Sequence, residues 1–408
     1  MTTGPALSGR ASWISPMLKT PFFPLLAVLL LACLLPLSLR ADPVPDPRLA
    51  QIRAQAAQIL MREPDNRLAR FRYAQASYQS GDHDPAKRQL LILMRSSQSA
   101  EELDELKAAY GTVLRARPWR FGVDLAILPS TNINKTSSNQ IFDTPFGQFL
   151  IIDGGVEDSG VGFRLGGRAS YDRLLHSGAV LSYGLEISRH HYPADRLNHL
   201  DGTLSLTWSQ RGLGRQTRII PYLRRIAYDI SAEDGPDSTR FGLRLIHDHD
   251  LTPASTLSGA LTLEQRDYDR LDQLDGAFRS AVVAYQGEID PRTGYSLSFG
   301  LSQSLPQITR LRYRETVLRA ELRRALGSFG VVGVNAGLQR RQYAGDFPAL
   351  AEPRADRSRS IGLSVRSPHL RIGDLVPELS CEITQNDSNV ALYEFRSTDC
   401  AVSFDHTF

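Results

Sequence analysis

The chain has 408 residues, 42% of them hydrophobic, which excludes a polytopic helical membrane protein built from repeated apolar runs of about 20 residues. Its 47 basic and 44 acidic residues give +3, but Arg10, Lys19 and Arg40 all fall in the first 41 residues, which hold no Asp or Glu. The remainder is balanced and has no excess of basic residues such as a phosphate backbone normally meets, which argues against a nucleic-acid partner.

Phe22 to Leu39 is the one stretch near spanning length, and it follows Lys19 at the N-terminus. It reads as a signal peptide over residues 1–41, with Met17 as an alternative start and Ala41 as the small residue at the cleavage point. Cys33 follows Leu30, Leu31 and Ala32, but apolar residues continue from Leu34 to Leu39, which disfavours a lipoprotein cleavage site. Cys381 and Cys400 remain, in a compartment that permits a disulfide. Lysine occurs only at 19, 87, 107 and 135. The abundance of Arg reflects either genome bias or guanidinium groups gripping carboxylates in a polar lumen.

Residues 42–117 form the second region. From Asp46 to Arg115 apolar residues recur at helical spacing, and four start signals appear. Asp46-Pro47 and Asp84-Pro85 place a capping side chain before a proline at the first helical position, Asp65 caps a third helix, and Ser99 with Glu102 forms a capping box. The starts at 65 and 99 are separated by the tetratricopeptide period, and Ala74, Tyr78, Gly81 and Ala86 stand where that repeat places small and aromatic residues. Such helices serve as a spacer, or they present a groove in which Tyr73, Tyr78, Leu106 and Tyr110 meet a client.

At Pro118 the period changes from 3.6 to 2. In Gly178 to Tyr192, Ala179, Leu181, Tyr183, Leu185 and Ile187 alternate with Ser182, Gly184, Glu186 and Ser188. Runs of this kind predict strands at about 119–131, 160–172, 178–192, 199–211, 216–231, 238–251, 255–269, 275–288, 293–304, 312–324, 329–343, 357–367, 376–386 and 396–408. Their length, even number and alternation of short and long connections predict an all-β membrane fold: an antiparallel transmembrane barrel of about 14 strands over 118–408, both ends in the periplasm, preceded by a small periplasmic helical domain. The last run puts Cys400, Val402, Phe404, His406 and Phe408 on one face. It is similar to the targeting strand read by the outer-membrane assembly machinery. Within the last hairpin Cys381 and Cys400 are equidistant from the turn, so they are either opposed and bonded or two free apolar side chains.

Candidate chemistry is sparse. His247, Asp248, His249 and Asp250 alternate faces without a third converging ligand, His190 and His191 point to opposite faces, and Asn198, His199 and Asp201 lack a nucleophile. No catalytic, metal or cofactor-binding residue is assigned, and neither enzyme activity nor a cofactor is expected.

The tetratricopeptide-like helices, the Pro118-Trp119 junction, the segment Thr131-Asn132-Ile133-Asn134-Lys135 and the barrel together resemble the surface lipoprotein assembly modulator (Slam) family. Trp119, Asn132 and Asn134 are the motif positions. The resemblance implies a translocator in the outer membrane that delivers client lipoproteins, or secreted haem- and metal-acquisition proteins, to the cell surface. The competing reading is a passive channel or exopolysaccharide export pore whose helices organise a polymer-handling complex.

Overall fold

The computed structural model describes residues 46–138, 157–229, 236–348, 350–373 and 375–408, together with the backbone of Ile141–Thr144 and Gly147–Leu150. The signal-peptide reading of residues 1–41 lies outside the described residues.

Four helices lead: α1 (Pro47–Arg62), α2 (Arg67–Gln79), α3 (His83–Arg95) and α4 (Ala100–Ala116). Asp46 accepts from the Arg48 N–H at 2.9 Å, and Ser99 from the Glu102 N–H at 3.1 Å. Two of the expected starts are corrected. Asn66, not Asp65, caps α2, accepting from the Ala69 N–H at 3.0 Å. Helix α3 begins at His83, after Asp82, which makes no side-chain cap. Pro85 is therefore the third helical residue; first-turn N–H groups have no intrahelical acceptor, so its missing donor is harmless there too. Ala86, Leu90, Leu93, Met94, Leu103, Leu106 and Val113 form the buried core of the bundle. None of the helices among the described residues is long and apolar enough to cross a membrane.

The strands are β1 (Trp119–Ser130), a separate hairpin β2 (Ile141–Thr144) and β3 (Gly147–Leu150), then β4 (Gly160–Leu174), β5 (Val180–His191), β6 (His199–Gly212), β7 (Arg215–Tyr228), β8 (Ser238–Thr252), β9 (Ser255–Tyr268), β10 (Gly276–Asp290), β11 (Thr293–Pro306), β12 (Tyr313–Ala325), β13 (Val331–Asp346), β14 (Pro353–Arg366), β15 (Glu378–Ser388) and β16 (Phe395–Thr407). Fourteen of them close into one antiparallel barrel, β1 and β4 through β16, with β16 returning to β1. Closure satisfies every strand edge, which a bilayer core demands.

Alternation sets the faces. Leu204, Phe241, Leu263, Leu338 and Ile361 are each more than half exposed and look outward, an apolar band for lipid. At the end of the barrel where β1 begins, here the near mouth, outward aromatics cluster: Trp119 stacks on Phe121 at 5.7 Å and tilts on Tyr171 at 5.1 Å, and Tyr285 meets Tyr295 at 5.6 Å. Such girdles mark a membrane interface. Near-mouth connections such as Gly212–Arg215 and Thr252–Ser255 are tight, although Arg366–Glu378 is long. At the far mouth one Asx side chain closes each of several hairpins by accepting the N–H at or next to a strand end: Asn198 from Tyr192 at 2.5 Å, Asp237 from Tyr228 at 2.8 Å and Asp275 from Tyr268 at 2.7 Å.

Candidate functional site: lumen, near mouth and closing seam

Period-two alternation turns the polar residues inward, and the register then pairs them. Arg164 meets Asp124 at 3.1 Å, Arg218 meets Asp248 at 2.8 Å, and Arg341 meets Glu315 at 2.6 Å. Glu264 accepts from the Tyr222 hydroxyl at 2.6 Å and from Arg266 at 2.7 Å. Arg224 grips Asp201, which accounts for that carboxylate beside Asn198 and His199. The lumen wall is thus charged and mixed in sign, with many of its charges paired, while inward Arg240, Arg244 and Arg319 have no carboxylate within ion-pair distance among the described residues.

The helical bundle sits against the near mouth. Arg95, at the end of α3, pairs with the lumen carboxylate of Asp250 at 3.2 Å and bonds Thr256. Lys87 is buried and donates to the Arg117 carbonyl at 2.7 Å, tying α3 to the junction that leads into β1. Burial lowers the Lys87 pKa, opposed by Asp84 and Asp172. His83 lies 5.5 Å from the Tyr78 ring, and its buried Nδ1 has no hydrogen-bond partner. Burial, then Arg117 and Lys87, lower its pKa.

The four helical positions named from the sequence divide. Leu106 is 6% exposed within the bundle core, and Tyr78 and Tyr110 pack against that core; burial pushes the Tyr110 phenol upward. Tyr73 is half-buried on α2. The exposed apolar side chains of the bundle are others: Met61, Leu68, Phe71 and Ile92. Sequence periodicity marks an apolar face without saying whether another helix already covers it.

The motif positions of the first strand separate: Asn132 and Asn134 lie at the far end of the seam where β16 meets β1, and Trp119 at the near end of β1 beside β4. Trp119 belongs to the near-mouth aromatic cluster. Asn132, fully buried just beyond the far end of β1, donates to the Thr136 and Arg396 carbonyls at 2.8 and 3.3 Å and accepts from the Thr136 N–H at 3.2 Å. Asn134 accepts from the Asp158 N–H at 3.2 Å, and Lys135 pairs with Asp399. Ser130 donates to Asp399 at 2.6 Å. The Asn-rich segment is a latch that ties the start of the first loop to the last strand. At the near end, Arg168 reaches over β1 to hold Asp405 at 2.7 and 2.8 Å. Gly122 permits the crossing, since a Cβ there would stand 2.6 Å from the guanidinium Nε.

Phe404, His406 and Phe408 share the outward face of β16; the His406 and Phe408 rings meet edge to face at 4.5 Å, and the Phe408 N–H donates to the Phe121 carbonyl at 2.8 Å. Cys381 and Cys400 are directly opposed on β15 and β16 and form a disulfide, with a Cα separation of 4.0 Å. That settles the alternatives left open by their spacing. Among the described residues, no group of three or more His, Cys, Asp or Glu is disposed to hold a metal.

The family model for the surface lipoprotein assembly modifier matches residues 119–408, the whole barrel. The chain belongs to this family. Surface lipoprotein assembly is therefore its field of action, the bacterial outer membrane its location, and family and barrel together point to a transporter or channel. No curated protein matches the chain. Among solved structures, a mutant of Rh. blastica porin is similar at 10% identity, covering 71% of this chain and 100% of its own, with a TM-score of 0.36. OpdK and OpdQ of Pseudomonas aeruginosa, at 8% and 6% identity, cover 71% of this chain and 99% and 98% of their own, with TM-scores of 0.36 and 0.37.

Proposed function

We propose that this assembly modifier is a translocator: its helices, on the periplasmic side, receive a client lipoprotein, and the barrel passes it to the cell surface. One observation carries the reading. A bundle with exposed Met61, Leu68, Phe71 and Ile92 is anchored through Arg95 and Asp250 over the mouth of a lumen lined by charges of both signs, many of them paired. Apolar side chains on a bundle hold an unfolded or partly folded segment by burying its surface, and a wall of mixed sign favours passage over tight retention of one ion. No covalent step is required. The other client set implied by the family resemblance, secreted haem- and metal-acquisition proteins, is tested in the same experiment by their release into the medium.

In that experiment residues 46–116 are deleted, and surface exposure of epitope-tagged lipoproteins is followed by protease accessibility in intact cells. The barrel is expected to insert and to keep its heat-modifiable gel shift while client delivery is lost. Delivery at the wild-type level would make the helices a spacer. Loss of exported polysaccharide with normal lipoprotein exposure would favour the export-pore reading instead.

A further inference from the structure

The outward faces of the two barrel flanks differ in their arginines at the far mouth. On the β5–β9 flank each such guanidinium has its own carboxylate: Arg189 pairs with Asp229, and Arg225 with Asp269. On the β12–β16 flank Arg314, Arg340, Arg357, Arg359 and Arg396 all point outward and are exposed. Asp387 pairs with Arg359 at 2.6 Å, and among the described residues no carboxylate lies within ion-pair distance of the other four.

Their placement is specific. Arg340 and Arg357 are direct cross-strand partners, a like-charge pairing that opposes sheet stability; Asp387 stands opposite Arg357 on its other side but is hydrogen-bonded to Arg359, which leaves five guanidinium groups to one carboxylate. Arg359 in turn faces Gln385, and Gln385 faces Arg396, so the charges continue across three strands. On β13 and β14 the next outward residue toward the membrane centre is apolar, Leu338 below Arg340 and Ile361 below Arg359, 55% and 58% exposed; on β12 and β16 it is a threonine, Thr316 and Thr398. Two residues of strand rise about 7 Å. The arginines therefore stand at the edge of the lipid-facing band, where a charge on the outer wall costs little.

We propose that this patch binds the phosphorylated head group of an outer-leaflet glycolipid, a lipid A-type phosphate bridging Arg340 and Arg357 with Arg314, Arg359 and Arg396 around it. Charge complementarity selects a multiply anionic ligand, and planar guanidinium forks suit phosphate oxygens. The side of the wall selects a membrane lipid over a soluble phosphate, because the patch looks away from the lumen and continues into the apolar band. The site would orient the barrel wall beside the far mouth in its bilayer. The proposal shares with the proposed function only the placement of the far mouth at the cell surface, which protease cleavage in the 346–353 loop of intact cells reads separately.

The test uses the full-length protein in phosphatidylcholine nanodiscs containing bis-phosphorylated lipid A, with dephosphorylated lipid A and phosphatidylglycerol as the two comparison arms and native mass spectrometry as the readout. Retention of bis-phosphorylated lipid A is expected, falling about tenfold in Arg340→Gln/Arg357→Gln and with added salt. Arg340→Lys/Arg357→Lys should fall less, keeping charge without the fork. Arg279→Gln, outward on β10 away from the patch, is the control and should retain the lipid. Should the central pair be needed for folding, as a lost heat-modifiable shift would show, Arg314→Gln/Arg396→Gln tests the patch from its edges. Undiminished retention by the folded variants, or equal retention of phosphatidylglycerol, overturns the proposal.

Discussion

Pro129 lies opposite Cys400 in the ladder that closes the barrel. The Thr131 N–H donates to the Thr398 carbonyl and the Phe408 N–H to the Phe121 carbonyl. Alternate pairs between those ends are hydrogen-bonding ones, and 129 with 400 is such a pair. Proline has no N–H to give, and the paired register of β1 and β16 omits Leu128 and Pro129. Pro221 interrupts β6 and β7 similarly, but those strands are joined by the turn at Gly212–Arg215. The β1–β16 junction is the one place in the fourteen-stranded ring where neighbours are not consecutive strands of the barrel. It is held by side chains at its two ends, Arg168 with Asp405 and Lys135 with Asp399, and its ladder is broken at Leu128 and Pro129, just inside the far end.

If the acyl chains of a client lipoprotein leave sideways, this seam is where they pass, because a charged lumen wall excludes them. Ala126 and Ser403 are a non-hydrogen-bonded pair across the seam, the geometry nearest to a disulfide. Ala126→Cys/Ser403→Cys, once oxidised, is predicted to abolish surface delivery and to recover it on mild reduction. Ser280→Cys/Ser302→Cys, the corresponding bond across the β10–β11 hairpin, is predicted to leave delivery intact. Normal delivery by the oxidised seam variant would remove the lateral route.

The native disulfide holds β15 to β16 beside that gap, so an opening seam separates β1 from β16 and leaves the terminal hairpin whole. Its residues are 19 apart in sequence, a loop whose closure is worth about 3 kcal/mol in the chain-entropy account. Cys381→Ala/Cys400→Ala should lower the temperature of the heat-modifiable transition and raise protease sensitivity in β15 and β16. An unchanged transition would mean the bond adds nothing to the assembled barrel.

Asn132→Ala removes a side chain that serves the Thr136 N–H and two carbonyls in a fully buried position. Each group stranded without a partner costs about 1–3 kcal/mol. The variant should insert normally but loosen the start of the first loop, read as faster hydrogen exchange over 131–138 with β7 to β12 unaffected. Unaltered exchange in that segment would count against the latch.

The barrel was legible because a strand's two faces differ in solvent, and lipid outside with water inside imposes period two on nearly every strand. Its finer features depend on register, which no single strand carries. Arg340 and Arg341 are neighbours in sequence, yet one faces lipid beside Arg357 and the other the lumen beside Glu315. The helix starts failed for a related reason: Asp65 and Asn66 are both competent caps, and backbone geometry chooses between them. Periodicity puts Leu106 on an apolar stripe open to a client, because it identifies the stripe and not the helix that covers it.

Phe408 closes the near end of the seam through its backbone and puts its ring on the outward face. A carboxylate there would face lipid beside the His406 ring and interrupt the aromatic face that we expect the assembly machinery to read. Phe408→Asp is predicted to lower the amount of inserted protein several-fold, with the surplus in the periplasm or degraded, while the helical bundle keeps its protease-resistant fold. Wild-type yield and insertion would show that the terminal ring is dispensable.

Acidification should loosen the bundle through His83. Its pKa is lowered in the folded chain by burial and by Arg117 and Lys87, so between the ordinary value of 6.5 and the lower folded value the unfolded segment binds more protons than the folded one. Stability therefore rises with pH across that window and is lost as pH falls from 6.5 toward the folded value. The buried Nδ1 has no acceptor to share a proton with, and the imidazolium would sit beside two cations. Hydrogen exchange in α3 should accelerate between neutral pH and mildly acidic pH, and His83→Phe, which packs against Tyr78 without titrating, should flatten that dependence. An equal acid response in the His83→Phe variant would assign the effect to other groups at the junction.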